Sequence, residues 1–431
     1  MRDKNDIKAL LDSVLSKVTA PHAQAEYYHN YSLATRFGEN AITQNMGGEE
    51  ENIRLVVAFG NKHGSSITNK MDEESIAKLV ERAEDIANNS PDDPEFMPPI
   101  EPQEYPVLPP SFFEDVAELT PSDIAVEIHK VVSMAKAAGY KASGLFEASY
   151  NTQALANSEK LFAFHKSSNL DYSSTIHGPN GSGHASANGE SVAQVNVESM
   201  AQRALETAIA AQNPRDIEPG DYTVIFEPQA VFDLLEYFAW DMNARDAEEG
   251  STVFAGKEGQ KFLSDKLTIT TEIDDPDLPA SPFGEDGLPA RRTVWFKDGT
   301  VNRLIHNRYW ASKKGTEPDP LIYPVFMAGE DNSLEDLIAD CKHGLLVKRL
   351  WYIRHVDRRQ MFLTGMTRDG FFLIDNGKIA APVKNLRFNE SLVVFLQNII
   401  AMSRPERVGS WIKVPAIMSE NFTFSSKTES L

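Results

Sequence analysis

Ten histidines, a single cysteine and 63 aspartates and glutamates are the side chains of this 431-residue sequence that are equipped to hold a metal, attack a carbonyl or move a proton. Zinc bound on a helix calls for two imidazoles four residues apart on one face, and no pair of histidines here has that spacing. His177 and His184 flank a glycine-rich turn, His22 and His29 stand near one another, and all four read as structural or exposed groups. A serine nucleophile needs a Gly-x-Ser-x-Gly elbow between a strand and a helix, which Gly181-Ser182-Gly183 does not supply. Cys341 follows Leu334, Leu337 and Ile338 at helical spacing, so it falls on a buried face and reads as a core thiol. Gly178-Pro179-Asn180-Gly181-Ser182-Gly183 has the glycines of a phosphate loop without its Gly-Lys-Ser/Thr ending, and reads as a turn. The pairs Asp274-Asp275 and Glu285-Asp286 flank prolines and glycines and read as solvated turn formers.

The elements around these residues are marked by their ends. An amphipathic stretch (Ile7, Leu10, Leu11, Val14, Leu15, Val18) opens the chain, unlike the apolar core of a signal peptide. Residues 25–44 and 52–59 have strand composition, broken by Gly38-Glu39-Asn40 and Gly47-Gly48. Asp72 caps a helix carrying Ile76, Leu79, Val80, Ala83 and Ile86, which Asn88 to Pro91 end. Eight prolines between 91 and 110 forbid helix and interior strand alike and predict a surface strap. Thr120, Pro121 and Asp123 start a helix that Gly139 stops. Two strands, 145–155 and 160–165, turn at Asn157-Ser158, and a helix from Val197 to about Ala211 turns Met200, Ala204, Leu205, Ala208 and Ile209 inward. From Gly220 strands dominate (222–226, 266–271, 292–295, 345–353, 371–374, 379–383).

The fold class expected is therefore α+β: an N-terminal helix/sheet domain, residues 1–215 with the strap 91–110, followed by a β-rich C-terminal domain of mixed or antiparallel sheet, residues 216–431. The apolar runs are too short to span a bilayer, and one cysteine excludes internal disulfides, so a cytoplasmic protein is expected. A net charge of −21 repels a phosphate backbone, which excludes direct nucleic-acid binding as the first expectation. The acidity serves solubility, or a surface that attracts basic peptides.

Several segments, in order along the chain, resemble the TldD/PmbA family. They include Thr35-Arg36-Phe37-Gly38-Glu39-Asn40-Ala41-Ile42, Glu218-Pro219-Gly220-Asp221-Tyr222-Thr223-Val224-Ile225-Phe226-Glu227-Pro228, Pro282-Phe283-Gly284-Glu285-Asp286-Gly287 and Phe371-Phe372-Leu373-Ile374-Asp375-Asn376-Gly377-Lys378. In that family the catalytic member carries His-Glu-x-x-x-His on the helix after the Tyr-x-Val strand, and a cysteine near the C-terminus. The resemblance implies that these three bind zinc and that the Glu activates water. Here the stretch is Leu235-Glu236-Tyr237-Phe238-Ala239-Trp240, so only Glu236 matches, at the position of the motif Glu. Leu235 and Trp240 replace the histidines, and Ser403 to Gly409 replaces the cysteine segment.

Leu and Trp offer no lone pair to zinc, and a catalytic site needs three protein ligands. Losing even the groups that orient ligands costs 10- to 100-fold. Residues five apart on a regular helix diverge by about 140°, so with no metal to serve, Leu234, Leu235, Phe238 and Trp240 are free to pack as core. The sequence thus looks like the zinc-free PmbA/TldE branch. The resemblance implies a non-catalytic subunit without a cofactor of its own, paired with a zinc-bearing TldD-like subunit or with itself, acting on unfolded peptides away from nucleic acid and membrane. An active metallopeptidase with atypical ligands, with Glu236 as base, and a homodimeric peptide-binding or regulatory protein are the alternatives. Family members are also called modulators of DNA gyrase, a label that the charge does not favour as direct DNA contact.

Overall fold

The computed structural model describes residues 2–320 and 324–428, so the outermost ends of the two expected units fall outside it. Three sheets organise the chain, and the first uses only its N-terminal half. In it β1 (His22–Gly38), β2 (Ala41–Phe59), β3 (Lys62–Thr68), β4 (Lys141–Asn157), β5 (Phe162–His177) and β6 (Ser182–Gly189) lie in the order β3-β2-β1-β4-β5-β6, all antiparallel. Four helices cover it: α1 (Lys4–Leu15), α2 (Glu73–Asn89), α4 (Pro121–Ala137) and α5 (Val197–Ala210), with a single turn, α3 (Glu114–Ala117), at the strap's end. Their caps are those expected, Asp72 for α2 and a Thr120/Asp123 capping box for α4.

Glycines let two of these helices lie flush on the sheet. A Cβ on Gly64 would stand 2.4 Å from the Ala87 amide of α2, and one on Gly183 would stand 2.2 Å from the Ala204 carbonyl of α5. Several expectations are corrected. Gly47-Gly48 does not break β2, because β1 keeps its register through both glycines, Leu33 opposite Gly47 and Ser32 opposite Gly48, and Gly47 makes room for Leu33, 3.0 Å from where its Cβ would be. The strands at 145–155 and 160–165 run on to 157 and 177, and β3 and β6 went unread. Ile86 and Ile209 face solvent, while Ala87 and Ala201 take the buried positions.

The second half holds a barrel and a smaller sheet. The barrel strands are β7 (Gly220–Phe226), β12 (His343–Asp357), β13 (Phe362–Asp375), β14 (Lys378–Pro382), β15 (Leu386–Ser391), β16 (Ile399–Met402) and β19 (Ile417–Lys427). They run β12-β7-β19-β15-β13, and the pairing of β13 with β12 closes the ring. The β7–β12 pair is parallel and the others antiparallel, so the fold is α+β with a mixed sheet, as expected. The smaller sheet is β10 (Thr300–Val301), β9 (Thr293–Lys297), β8 (Ile269–Thr271), β11 (Val325–Met327), β18 (Ile412–Val414) and β17 (Glu406–Val408), in that order. Helices α6 (Pro228–Trp240), α7 (Ala244–Glu248), α8 (Arg308–Lys314), α9 (Leu334–Asp340) and α10 (Leu392–Gln397) pack around them.

The strap has no helix or strand between residues 91 and 110 and is pinned by side chains. Arg245 holds Glu95 at 2.8 Å, Tyr105 donates to the Gly287 carbonyl at 2.9 Å, and Arg308 donates to the Pro98 carbonyl. No helix of the described residues is long and apolar enough to cross a membrane.

An aromatic cluster fills the barrel. Phe422 has Phe226, Phe424, Phe388 and Phe395 at centroid distances of 4.9, 5.2, 5.5 and 5.9 Å, and all five rings are at most 2% exposed. Truncation there leaves a cavity that four rigid rings cannot refill. Phe422→Ala is expected to cost about 3–5 kcal/mol in urea unfolding; a cost under about 1 kcal/mol would show that the barrel does not depend on this cluster.

Candidate functional site

Helix α6 carries Leu235, Glu236 and Trp240, the positions that the sequence resemblance singles out as an expectation, and its N-terminus is built from charge. Glu227 is the N-cap residue and Pro228 the first helical residue, where a missing N–H costs nothing. The Glu227 side chain is 5% exposed, yet it meets Lys348 of β12 at 2.7 Å and Arg203 of α5 at 3.1 Å. Val231, Leu234, Leu235 and Phe238 repeat at helical spacing and are buried, which lays that face on the barrel and smaller sheet.

The side of α6 that meets β12 completes a sheet edge. β7 pairs with β12 only from Leu345 to Val347, so beyond that point the backbone of β12 lacks a strand partner on one side. Groups of α6 and its cap take the vacant positions. The Glu227 amide donates to the Val347 carbonyl at 3.0 Å, the Asp233 carboxylate accepts from the Leu350 amide at 2.8 Å, and the Tyr237 hydroxyl donates to the Ile353 carbonyl at 2.5 Å. Gln229, one turn before Asp233, donates to its other oxygen at 2.9 Å. Burial of the Asp233 carboxylate pushes its pKa up to about 7, against the opposing pull of the Leu350 and Gln229 hydrogen bonds. Although one edge of the residue remains open to solvent, the carboxylate itself is turned onto β12.

The three motif positions part company on this helix. Leu235 is 4% exposed in the core, whereas Trp240 is 59% exposed, which corrects the expectation that it packs inside. Trp240 leans on Tyr237 at 5.0 Å and on His355 at 6.4 Å instead. Glu236 is half-buried, and desolvation raises its carboxyl above the usual range. The helix is an ordinary α-helix, so positions 235 and 240 point about 140° apart and share no point in space that one ion would occupy. With one carboxylate and no second donor at these positions, the residues present do not fit a zinc ion.

The C-terminal segment expected from the resemblance to stand in place of a cysteine, Ser403 to Gly409, ends against α6. Trp411 packs on Phe232 at 5.5 Å, and Gly409 sits beside the same ring. Arg407 reaches Glu190 of the first half with two bonds of 2.6 and 2.8 Å. A cleft of about 60 Å³ between α6 and this segment is lined by His184, Arg203, Glu227, Lys348, Arg407 and Gly409. A larger cavity, about 640 Å³, opens elsewhere, where Asn180 to Ser182 meet Asp369 to Phe371.

The other candidates are dispersed. His29 is 3% exposed and bonded to Glu49 at 2.8 Å, and His184 bonds Thr175 at 3.0 Å with its pKa lowered to about 4 by desolvation. His22 faces Phe96, and His177 ends β5 at the turn where the glycine-rich segment begins. Cys341 is buried at the end of α9. Asp274 and Asp275 pair with Arg292 and Lys413 at 3.1 and 2.7 Å, while Glu285 and Asp286 lie exposed in a loop. Among the described residues, no three His, Cys, Asp or Glu side chains gather as a metal cluster. Sequence reasoning missed Asp233 and the Glu227 cluster. The signal was there for Asp233, a lone acid inside the apolar run Val231 to Leu235.

The barrel, the smaller sheet and α6 together define a chain with a metallopeptidase-type C-terminal region. Residues 219–426 match the PmbA/TldA metallopeptidase C-terminal domain. By that match the C-terminal region of the chain is of the TldD/PmbA family type. It is similar to a metalloprotease of Methanothermobacter thermautotrophicus, 24% identical over 233 residues that make up 48% of each protein, so the chain spans about half the length of that relative. It is also similar to the metalloprotease PmbA of Escherichia coli O157:H7, 23% identical over 90% of this chain and 88% of that one. The fold matches the crystal structure of TldE from Thermococcus kodakarensis with a TM-score of 0.88, at 19% identity, over 97% of this chain and 99% of that one.

The raised pKa of Asp233 has a definite sign. The folded state keeps the proton where the unfolded chain, with an ordinary carboxyl near 3.9, has released it. Asp233 therefore costs stability progressively as pH rises from about 4 to about 7, and the full cost is present above that. Asp233→Asn keeps an acceptor for Leu350 without the charge. Relative to wild type it is expected to gain stability between pH 4 and pH 8, by about 2 kcal/mol after allowing for the partly open edge of the residue. Urea unfolding at both pH values measures the difference, and parallel curves for the two proteins would refute the assignment.

Proposed function

We propose that the chain is a non-catalytic subunit of a metalloprotease complex acting on unfolded peptides, in which a zinc-bearing TldD-like subunit does the hydrolysis. The observation that carries this reading is the fate of the two positions aligned with the family's histidines. Leu235 is sealed in the core and Trp240 is turned to solvent, with Glu236 alone between them. Nothing at this helix then supplies the open fourth position from which a zinc-bound water attacks.

What remains is a rigid scaffold: a helix locked to β12 by Asp233 and Tyr237, and a C-terminal segment locked to the first half by Arg407 and Glu190. Such a scaffold suits a wall that binds peptide and holds a partner's site in shape. The names PmbA and TldE borne by similar proteins support the family and its chemistry. The buried lone cysteine and the acidic surface suit a cytoplasmic subunit without disulfides, cofactor, membrane or nucleic-acid contact. A second copy of this chain is the other partner to test.

Purified alone, the protein is expected to hold far less than one zinc per chain by elemental analysis and to show no chelator-sensitive cleavage of an unfolded casein substrate. Mixed with a zinc-containing relative from the same source, it is expected to co-elute in native mass measurement and to raise that relative's activity. Near-stoichiometric zinc and chelator-sensitive hydrolysis by the isolated chain would replace this reading with an active peptidase using Glu236 as base.

A further inference from the structure

The outward face of the barrel wall formed by β12, β13 and β15 collects arginines in a chain whose net charge is −21. Residues directly opposite in antiparallel strands share a face. Register therefore places Trp351, Met366 and Arg387 in one row, Arg349 beside Arg368 in the next, and Arg354 opposite Thr364 on the other side. Like charges opposite one another repel. Here the Arg349 and Arg368 guanidiniums lie 5.2 and 4.9 Å from the Trp351 ring centroid, and buried Asp369 takes them at 2.9 and 3.7 Å.

The second ring on this face is held in an uncommon way. Tyr352 sits at φ 57° where β12 slips register between Trp351 and Arg354, a left-handed conformation that a bulky residue rarely adopts. The bulge leaves the side chain 57% exposed. Arg354 lies 4.5 Å from the centroid of that ring and hydrogen-bonds its hydroxyl; with Arg387 contributing, it holds the phenol below its ordinary pKa. Both guanidiniums are exposed, and neither meets a carboxylate among the described residues. Two exposed aromatic rings flanked by unneutralised guanidiniums have the composition of an interface anchor rather than of ordinary surface.

We propose that this face docks an acidic, extended protein segment, whose carboxylates take Arg354 and Arg387 while its backbone crosses Trp351 and Tyr352. Charge complementarity selects the occupant, since guanidiniums bind carboxylates in paired hydrogen bonds. A nucleic acid fits less well. The attraction of the patch is screened beyond about 8 Å, and a long polyphosphate strand extends past it into the field of an acidic protein. The inference stands independently of the metalloprotease-complex reading, because it concerns the outside of the barrel and needs no catalytic partner.

The test is fluorescence anisotropy of labelled hexaglutamate titrated with the full chain at low salt, beside hexalysine and a single-stranded RNA of equal charge. Hexaglutamate is expected to bind, more tightly than either control, and to weaken roughly tenfold in Arg354→Gln/Arg387→Gln while thermal unfolding stays unchanged. Tyr352→Gly provides a second arm, since glycine accepts the left-handed backbone: this variant is expected to unfold at a higher temperature yet bind hexaglutamate more weakly. Equal binding of hexalysine, tighter binding of RNA, or undiminished hexaglutamate binding by both variants would overturn the proposal.

Discussion

A carboxylate carried into the interior, that of Glu227, joins three parts of the chain, α6, β12 and α5, at one point. Its backbone starts α6 and bonds Val347 of β12, and its side chain takes Lys348 of β12 and Arg203 of α5. Burying such a charge is unfavourable unless partners are supplied, and once they are supplied, removing any one leaves the others uncompensated. The arrangement therefore acts more as a specification than as a source of stability. It sets the angle at which α6 leaves the barrel and brings the helix covering β6 against the barrel's end. The same pattern recurs where Arg407 reaches Glu190 and Ser182 donates to Asp369 at 2.7 Å, each bond crossing between the first sheet's strands or turns and the second half.

With its start fixed, α6 substitutes for a missing strand. In the five-strand ring β7 pairs with β12 only from Leu345 to Val347, which leaves part of β12 without a neighbour, and unpaired buried backbone is costly. Asp233 and Tyr237, four residues apart and therefore on one helix face, meet the Leu350 amide and the Ile353 carbonyl. That duty requires a regular helix. A widened turn that brought positions 235 and 240 together would pull one of these two side chains off β12. The regularity of α6 and the residues at 235 and 240 are thus two expressions of one choice, in which the helix serves as a structural edge.

How much of this was legible in the sequence follows from the range of the forces involved. Helices with local caps, such as Asp72 on α2 or the Thr120/Asp123 box on α4, are written within four residues and were readable to within a turn. Strands were readable only where composition was strong. β2 continues through Gly47-Gly48 because of its long-range pairing with β1, which no local pattern discloses. The inward face of α5 shifted by one position, with Ala201 in and Ile209 out, because close packing on Gly183 favours small residues over large ones. At the candidate site, Glu236 was visible only through resemblance to a family. The ion pairs of Glu227, separated by 24 and 121 residues from their partners, had no sequence signature at all.

The uneven distribution of charge follows from how each sheet ends. In the first sheet β3 covers β2 only from Ile53 onward, so residues 41–52 present an unpaired edge, and there Glu49, Glu50 and Glu51 stand together. Charged edges of this kind keep copies of a protein from joining strand to strand. The barrel has less need of the device, because its ring is closed and α6 occupies the gap that β7 leaves. Its outer wall is consequently free of the requirement for acid, and can carry Arg349, Arg354, Arg368 and Arg387 on one face without inviting edge pairing. Acid guards the open sheet and base decorates the closed one, so closure of the barrel is what permits an acidic chain to present a basic surface.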